Sequence, residues 1–176
     1  MEASGLNMDH PAIRYAVVIG TAALLQYAVL SQFRIAGVSA DLFLVVAIAA
    51  GIVAGSERGA VVGFVCGACL DLLVVTPFGL GAISGLVAGV VAGLLEGATI
   101  HSARWLTAAI AFISSSAGLL AFAIAGALLG RPDLLSLRVF TVMGVVGASS
   151  ALLVFPAVRV CRWADPEIGR IRAAVR

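Results

Sequence analysis

The stretch that decides the fold is residues 51–97, which read GIVAGSERGAVVGFVCGACLDLLVVTPFGLGAISGLVAGVVAGLLEG. Glycine recurs there at every fourth position in two series: Gly51, Gly55, Gly59, Gly63 and Gly67, then Gly81, Gly85, Gly89, Gly93 and Gly97. Between Gly59 and Leu95 the only charged residue is Asp71. As one helix this run would be about 55 Å long, which exceeds a bilayer core of about 30 Å. We therefore predict two helices that reverse at Thr76–Pro77, where proline ends the first helix and Gly79 eases the turn.

The composition of the whole chain agrees with a membrane location. The 176 residues are 62% hydrophobic and 11% charged, whereas a soluble domain is usually about 25% charged. The apolar runs are continuous and do not alternate with polar residues, so helices are favoured over a transmembrane β-barrel. We predict an all-α polytopic membrane protein with a single integral membrane domain over residues 1–176.

Six transmembrane helices are predicted from the apolar runs. They cover residues 13–30, 41–54, 59–75, 78–95, 105–129 and 139–158, and an Arg-rich tail, 159–176, follows. Pro156 is expected to bend or end the sixth helix. Six crossings place both termini on one side, where the sequence puts eight of its eleven arginines. Because cytoplasmic segments are enriched in arginine, we predict cytoplasmic N- and C-termini.

The Arg-rich tail has two interpretations. Asp165 can cap a short helix that begins at Pro166. Such a helix would lie at the membrane surface, with its apolar face inserted and its arginines against anionic lipid heads. The alternative is a solvated tail that frays in water.

The glycine series predict close helix packing. Small residues four positions apart allow two helical backbones to approach each other, which matters in lipid because the hydrophobic drive between helices is small. The packing surface belongs either to the bundle itself or to a groove for the helix of a partner protein. The candidate residues for both interpretations are Gly63, Gly67, Gly81, Gly85 and Gly89.

Asp71 is the charged residue that most needs an explanation. A carboxylate within the membrane costs roughly 2.5–3.5 kcal/mol on insertion scales, so it usually faces the interior or a partner. Asp71 is either wetted near the interface, a cap for the next helix, or paired across the bundle. The basic residues predicted on the same outer side are Arg34, Arg131 and Arg138. Asp41, at the start of the second helix, is predicted to be its N-cap.

Catalytic signatures are not found in the sequence. Cys66 and Cys69 form a C-x-x-C motif, but it lies inside a predicted membrane helix. A zinc site needs four ligands, and a redox thiol needs access and a lowered pKa, so two buried thiols are the favoured interpretation. We also find no Ser-His-Asp arrangement, phosphate-binding loop or basic-aromatic patch for nucleic acid. We therefore predict no catalytic residue, cofactor or metal.

Three motifs in order resemble one known family. Ala40-Asp41-Leu42 begins the second helix, Gly63-Phe64 with Gly67 and Asp71 follows in the third, and residues 78–82 (FGLGA) open the fourth. This order is similar to that of the bacterial rod shape-determining MreD family, with Ala40 where the family usually has proline. Chain length, six helices and short loops also resemble the family.

The resemblance implies a function and a set of partners. MreD-like proteins are non-enzymatic scaffolds of the cell-elongation machinery in the bacterial cytoplasmic (inner) membrane, where they support cell shape and peptidoglycan synthesis. The implied partners are a single-span MreC-like protein, the RodA glycosyltransferase with its transpeptidase, and membrane lipids. MreB filaments are implied as an indirect partner, and nucleic acid is not implied. The family fold is similar to that of the substrate-binding subunits of energy-coupling-factor vitamin transporters. We expect the glycine series and the Asp71 region to dock the partner.

The alternative function is that of a substrate-binding subunit of a vitamin-type transporter. It would need an outer cavity with several convergent polar groups, and the sequence offers few there, namely Asp41, Asp71, Thr76 and scattered serines. A small intramembrane enzyme is a third hypothesis, but it lacks a nucleophile with a base.

Overall fold

Within the residues that the structure describes, the chain is helical. The computed structural model describes residues 11–26, 28, 34–35, 38–39, 41–73, 79–98, 104–130 and 138–165. The helices are α1 (Pro11–Leu25), α2 (Leu42–Ala54), α3 (Ser56–Leu73), α4 (Leu80–Ala98), α5 (Arg104–Leu128) and α6 (Arg138–Ala164). Two short strands, β1 (Arg34–Ile35) and β2 (Val38–Ser39), pair antiparallel between α1 and α2. The helical class is therefore confirmed, and this strand pair is an addition to it.

Helix α2 lies at the centre of the bundle. Every residue from Phe43 to Val53 is buried, and α2 contacts each of the other helices. A helix that is apolar on all sides is typical of such a position. Its 13 residues span only about 20 Å, so α2 is shorter than the bilayer core and is enclosed by its neighbours.

Three helices of the described chain are long and apolar enough to cross a membrane. They are α4, α5 and the part of α6 from Val142 to Ala164, while α2 and the part of α1 from Ile13 to Leu25 are apolar but shorter. Large apolar side chains such as Leu72, Leu128 and Leu152 lie exposed on the outside of the bundle. An exposed apolar surface of this kind suits lipid and favours an integral membrane protein.

The bundle has two ends that differ in their polar residues. At one end, Arg14 of α1 donates from Nη1 to the carbonyl of Trp163 in α6 at 3.3 Å, and its guanidinium lies 5.5 Å from the centroid of the Trp163 ring. Arg58 and Asp165 meet at the same end, which we call the Asp165 end. The start of α1 and the end of α6 are therefore at the same end of the bundle. The opposite end, where α3 finishes and α4 begins, is called the Asp71 end.

The last helix differs from its predicted bounds. We predicted an end at residue 158, with Pro156 bending or ending the helix, whereas α6 continues through Pro156 to Ala164. One proline removes only one backbone hydrogen bond, and neighbouring groups in a bundle tolerate that loss. The final turn is fixed because Cys161 and Ala164 are buried and the N–H of Asp165 donates to the Cys161 carbonyl at 3.0 Å.

The turn and the tail are only partly described. Residues 74–78, with the predicted reversal at Thr76–Pro77, and residues 166–176, with the predicted surface helix, lie outside the described residues. Gly79, which we expected to ease the reversal, has a φ of +105°, a conformation that favours glycine.

Candidate functional site at the Asp71 end

The two glycine series lie against each other. Helices α3 and α4 run antiparallel, and their glycines meet in pairs: Gly67 with Gly81, Gly63 with Gly85, and Gly59 with Gly89. A Cβ atom added at any of these six positions would come closer than 3.0 Å to an atom of the partner helix or of α2. The two backbones are therefore in direct contact, which only glycine permits.

Helix α2 also packs against these glycines, at the end of the two series that lies away from Asp71. A Cβ on Gly51 would collide with the Gly89 carbonyl, and one on Gly93 would collide with the backbone at Gly55 and Ser56. Gly55, with a φ of +87°, and Gly97 have open space around them. Most glycines of the two series thus pack α2, α3 and α4 together. Each glycine face is covered by the backbone of another of these helices.

Asp71 fixes the closed end of the α3–α4 hairpin, where α3 finishes and α4 begins. It is only 5% exposed and lies in the last turn of α3. Its Oδ2 accepts from the N–H of Gly79 at 2.9 Å and from that of Ala82 at 3.2 Å, and its Oδ1 accepts from the N–H of Gly81 at 2.9 Å. These are donors at the start of α4 that have no partner within that helix. Asp71 therefore caps α4, with its negative charge at the positive end of the helix dipole.

The glycines around Asp71 are required by this cap. A Cβ on Gly81 would lie 2.5 Å from Oδ1 of Asp71 and 2.8 Å from the Gly67 carbonyl. The cap, the close backbone approach and the turn at Gly79 thus occupy one small volume. We call Gly67, Asp71, Gly79 and Gly81 the hairpin closure.

Asp41 is the N-cap of α2, as the sequence predicted. Its Oδ1 accepts from the N–H of Phe43 at 3.0 Å and from that of Leu44 at 3.2 Å. Gln26, which follows α1, accepts from the N–H of Leu42 at 2.9 Å through Oε1. Sequence reasoning missed Gln26, although an amide within the first apolar run was a signal for it.

The predicted basic partners of Asp71 are not settled by the structure. Arg138 is the first residue of α6, and Arg34 belongs to β1, but the side chains of both fall outside the described part. Arg131 also lies outside it. Their role as counter-charges stays a prediction.

A cavity of about 280 Å³ lies at the Asp71 end. Its polar lining consists of Gln26, Asp41, Asp71 and Ser84, and its apolar lining consists of Phe43, Leu44, Leu70, Leu119, Phe122 and Val146, with Gly67, Gly81 and Gly85 between them. The described residues that line it include no arginine or histidine. The cavity therefore combines an apolar wall with a polar side that is rich in hydrogen-bond acceptors.

A second polar cluster, at the Asp165 end, was not expected from the sequence. Nη1 of Arg58 in α3 pairs with Oδ2 of Asp165, which follows α6. Asp165 is 1% exposed, whereas the Arg58 side chain is 46% exposed. Oδ1 of Asp165 and the hydroxyl of Tyr15 are buried without a hydrogen-bond partner in the described chain. Asp165 thus joins α3 to α6 through this ion pair, while the predicted cap on a helix from Pro166 lies outside the described residues.

The described residues do not assemble a recognisable catalytic or metal site. No group of three or more His, Cys, Asp or Glu side chains in that part of the chain could hold a metal ion. Cys66 is buried, Cys69 is partly buried and neither forms a disulfide. Cys66 belongs to the hydrophobic core, against which Cys69 packs.

Comparison with known proteins adds no relative. No family model, no curated protein and no solved structure matches this chain. A functional argument must therefore start from the hairpin closure, the cavity and the ion pair themselves.

Proposed function

We propose that the protein is a non-enzymatic, multi-pass scaffold of the bacterial cytoplasmic membrane that supports cell elongation and peptidoglycan synthesis, as its resemblance to the MreD family implies. In this proposal all six helices belong to the membrane domain and both termini are cytoplasmic. Its main partner is a single-span MreC-like protein. The RodA–transpeptidase complex is a further partner, and MreB is linked indirectly.

The observation that carries the proposal is the hairpin closure. Gly63, Gly67, Asp71 and residues 79–82 are the main part of the resemblance. In the fold, Gly67, Asp71 and residues 79–82 meet at the end of one helical hairpin, and Gly63 packs further along it against Gly85. Asp71 directs its carboxylate at backbone donors of its own chain, and the glycines exclude side chains. These residues therefore maintain the shape of the hairpin end, which favours a structural role over a catalytic one.

The distribution of arginine and tryptophan supports cytoplasmic termini. Helix α5 runs from the Asp165 end to the Asp71 end, since Leu119 and Phe122 in its second half line the cavity. Its first residues, Arg104 and Trp105, therefore lie at the Asp165 end, together with Trp163. Trp105 is 74% exposed and Trp163 is 60% exposed. Exposed tryptophans beside arginines are typical of a membrane interface, and the arginine excess favours its cytoplasmic side.

The filled glycine faces limit how a partner binds. Because Gly63, Gly67, Gly81, Gly85 and Gly89 pack inside the bundle, the partner does not enter a groove between them. In the proposal these residues act indirectly, by holding the Asp71 end in the shape that the partner recognises.

Affinity purification of the full chain in a mild detergent tests the proposal. Tagged protein is expressed at its native level in its own host, and the co-purifying proteins are identified by mass spectrometry. We expect recovery of a single-span membrane protein of the cell-elongation machinery. Recovery of an energising ATPase module, or of no cell-wall component, would contradict the scaffold role. A variant with Gly97→Ala, at a glycine with open space around it, serves as a folded control.

The cavity favours a second candidate, a substrate-binding subunit of a small-molecule transporter. Its described polar lining consists of four side chains, Asp41 and Asp71 with Gln26 and Ser84. Two observations weigh against this candidate. The carboxylates of Asp41 and Asp71 already accept backbone N–H groups, and 280 Å³ is at or below the lower limit of about 300 Å³ for ligand pockets. Recovery of the ATPase module would favour this function.

A further inference from the structure

We propose that the end of α6 binds an anionic phospholipid, whose phosphate contacts Arg159 and Arg162 and whose acyl chain lies along the apolar surface of the preceding turns. This inference names a lipid class and a site for it. It rests on the membrane location in the proposed function, but not on the scaffold role. The observations that lead to it are the two sides of α6, its exposed arginines and the contact of Trp163 with Arg14.

The last part of α6 has one buried side and one exposed side. Its buried side carries Val154, Val158, Cys161 and Ala164. Its exposed side carries five residues within a sector about 100° wide, which we call the basic stripe: Leu152, Phe155, Arg159, Arg162 and Trp163. Along the helix axis, Arg159 lies about 10 Å beyond Leu152. The stripe is therefore apolar first and basic at the Asp165 end, which is the order of acyl chain and phosphate in a phospholipid.

The two arginines of the stripe are placed to bind one phosphate. Both are exposed, and among the described residues neither takes part in a hydrogen bond or an ion pair. They lie three positions apart, so their Cβ atoms are about 5–6 Å from each other. A guanidinium presents a planar set of donors that binds phosphate oxygens in pairs. The ammonium of a zwitterionic headgroup would be repelled there, whereas a net negative headgroup would be attracted.

The acidic residues of this side do not cancel the charge of the stripe. Asp165 is buried and pairs with Arg58. The segments predicted on this side of the membrane hold eight arginines and six acidic residues, with residues 1–10 and 166–176 counted from the sequence alone. Two of the acidic residues, Glu57 and Glu96, belong to α3 and α4, whereas α6 packs mainly on α1, α2 and α5. A positive excess therefore remains, and α6 carries part of it on its exposed side.

Trp163 lies beside the proposed position of the phosphate. Arg14 of α1 donates to the Trp163 carbonyl at 3.3 Å, and its guanidinium lies 5.5 Å from the centroid of the ring. Helix α1 thus brings a third arginine to this end of the stripe. The ring is 60% exposed, and tryptophan favours the headgroup region of a bilayer. A lipid bound at Arg159 and Arg162 should therefore contact Trp163 and affect its fluorescence.

The test measures the fluorescence of Trp163 in the full chain. Trp105 is the other of the two tryptophans, so Trp105→Phe leaves Trp163 as the single emitter. This protein is reconstituted in mixed vesicles of phosphatidylglycerol and phosphatidylcholine, in which one lipid carries brominated acyl chains that quench a tryptophan in contact. Quenching as a function of composition gives the relative affinity of the two lipids at Trp163. We expect a preference of at least about fivefold for phosphatidylglycerol. Equal affinity would overturn the proposal.

Two arginine variants locate the site. Arg159→Gln should remove most of the preference for phosphatidylglycerol. Its control is Arg104→Gln, which removes an exposed arginine of the same end of the bundle from α5 and should keep the preference within about twofold of the parent value. An equal loss in the two variants would show diffuse attraction to the whole surface and would overturn the proposal. If Arg159→Gln does not fold, Arg162→Gln is measured in its place.

Two further outcomes separate this proposal from its alternatives. Glycerol 3-phosphate, added at the concentration of phosphatidylglycerol, should not reverse the quenching, because it cannot use the apolar part of the stripe; recovery of fluorescence would indicate a site for soluble phosphate and overturn the proposal. Quenching by neither lipid would contradict the membrane location as well, whereas equal quenching by both contradicts the lipid site alone. Co-purification of a cell-wall partner is independent of these results.

Discussion

The two ends of the bundle each bury an aspartate, and they stabilise it in different ways. Asp71 is 5% exposed and Asp165 is 1% exposed. Asp71 accepts three backbone N–H groups from the helix that follows it in the chain. Asp165 pairs with Arg58, which is 107 residues away, and one of its oxygens has no hydrogen-bond partner among the described groups.

This difference shows which contacts the fold depends on. The donors around Asp71 are main-chain groups at the start of α4, two of them buried and one partly buried, so they lose these hydrogen bonds when the carboxylate is removed. The partner of Asp165 is an arginine whose side chain is 46% exposed, so water can replace the carboxylate around it. Asp71 should therefore contribute more to stability than Asp165, although Asp165 is the more buried of the two.

The largest effect is expected from breaking the backbone contact beside Asp71. In Gly67→Ala the new Cβ would collide with the backbone of Gly81 and Ala82. Helices α3 and α4 must therefore separate, and the hydrogen bonds that Asp71 accepts must lengthen. We expect a loss of about 3 kcal/mol or more in the free energy of unfolding, measured by denaturant titration in mild detergent. Gly97→Ala, at an open position of the second series, should change stability by no more than about 0.5 kcal/mol. Similar losses in the two variants would show that the glycines do not pack as described.

The next effect comes from the cap itself. Asp71→Ala removes the acceptor of three N–H groups, two of them buried, and we expect it to cost about 2–3 kcal/mol. Asp71→Asn keeps one oxygen acceptor and loses the charge, so it should cost roughly half as much. The same unfolding titration measures both. An asparagine variant that is no more stable than the alanine variant would mean that the charge, and not hydrogen bonding, holds the hairpin.

A smaller effect is expected at the Asp165 end. Arg58→Ala leaves the buried Asp165 charge without its partner, and because Arg58 is half exposed we expect a cost of about 1–2 kcal/mol. Asp165→Asn leaves the arginine to be hydrated, so it should cost less than Arg58→Ala. Comparison of the two variants and of the double variant gives the coupling energy. A coupling energy close to zero would show that the ion pair does not hold α3 to α6.

The smallest effect should be that of the cap on the central helix. Asp41→Ala removes the acceptor for two N–H groups and should cost about 1 kcal/mol, whereas Asp41→Asn should cost only a few tenths. Circular dichroism during thermal melting detects the difference. If both variants melt like the parent, the side chain of Asp41 does not stabilise α2 as its cap.

The hairpin could be predicted from the sequence because its signals are local. Four-residue glycine spacing on both sides of a proline predicts two helices in close contact, and Asp71 lies within a few residues of the turn that it caps. Asp41 was predictable for the same reason, since it directly precedes an apolar run. Which of the alternatives for Asp71 holds was not predictable, because it depends on how the chain reverses after α3.

The rest could not be predicted because it depends on distant residues. Arg58 and Asp165 are brought together only when α1, α3 and α6 pack, and nothing in their spacing indicates this. The cavity likewise brings together Gln26, which follows α1, Ser84 of α4 and Val146 of α6. The central place of α2 did leave a signal, since the segment is apolar on all sides.

The most direct test of the account compares Asp71→Ala with Asp165→Ala in one experiment. The free energy of unfolding of each variant is measured by denaturant titration in the same detergent and at the same pH. The account predicts that Asp71→Ala loses more stability, by at least about 1 kcal/mol, because it strands three backbone donors while the other change strands only a half-exposed arginine. Equal losses, or a larger loss for Asp165→Ala, would contradict the claim that the glycine-lined hairpin closure is the element on which the fold depends.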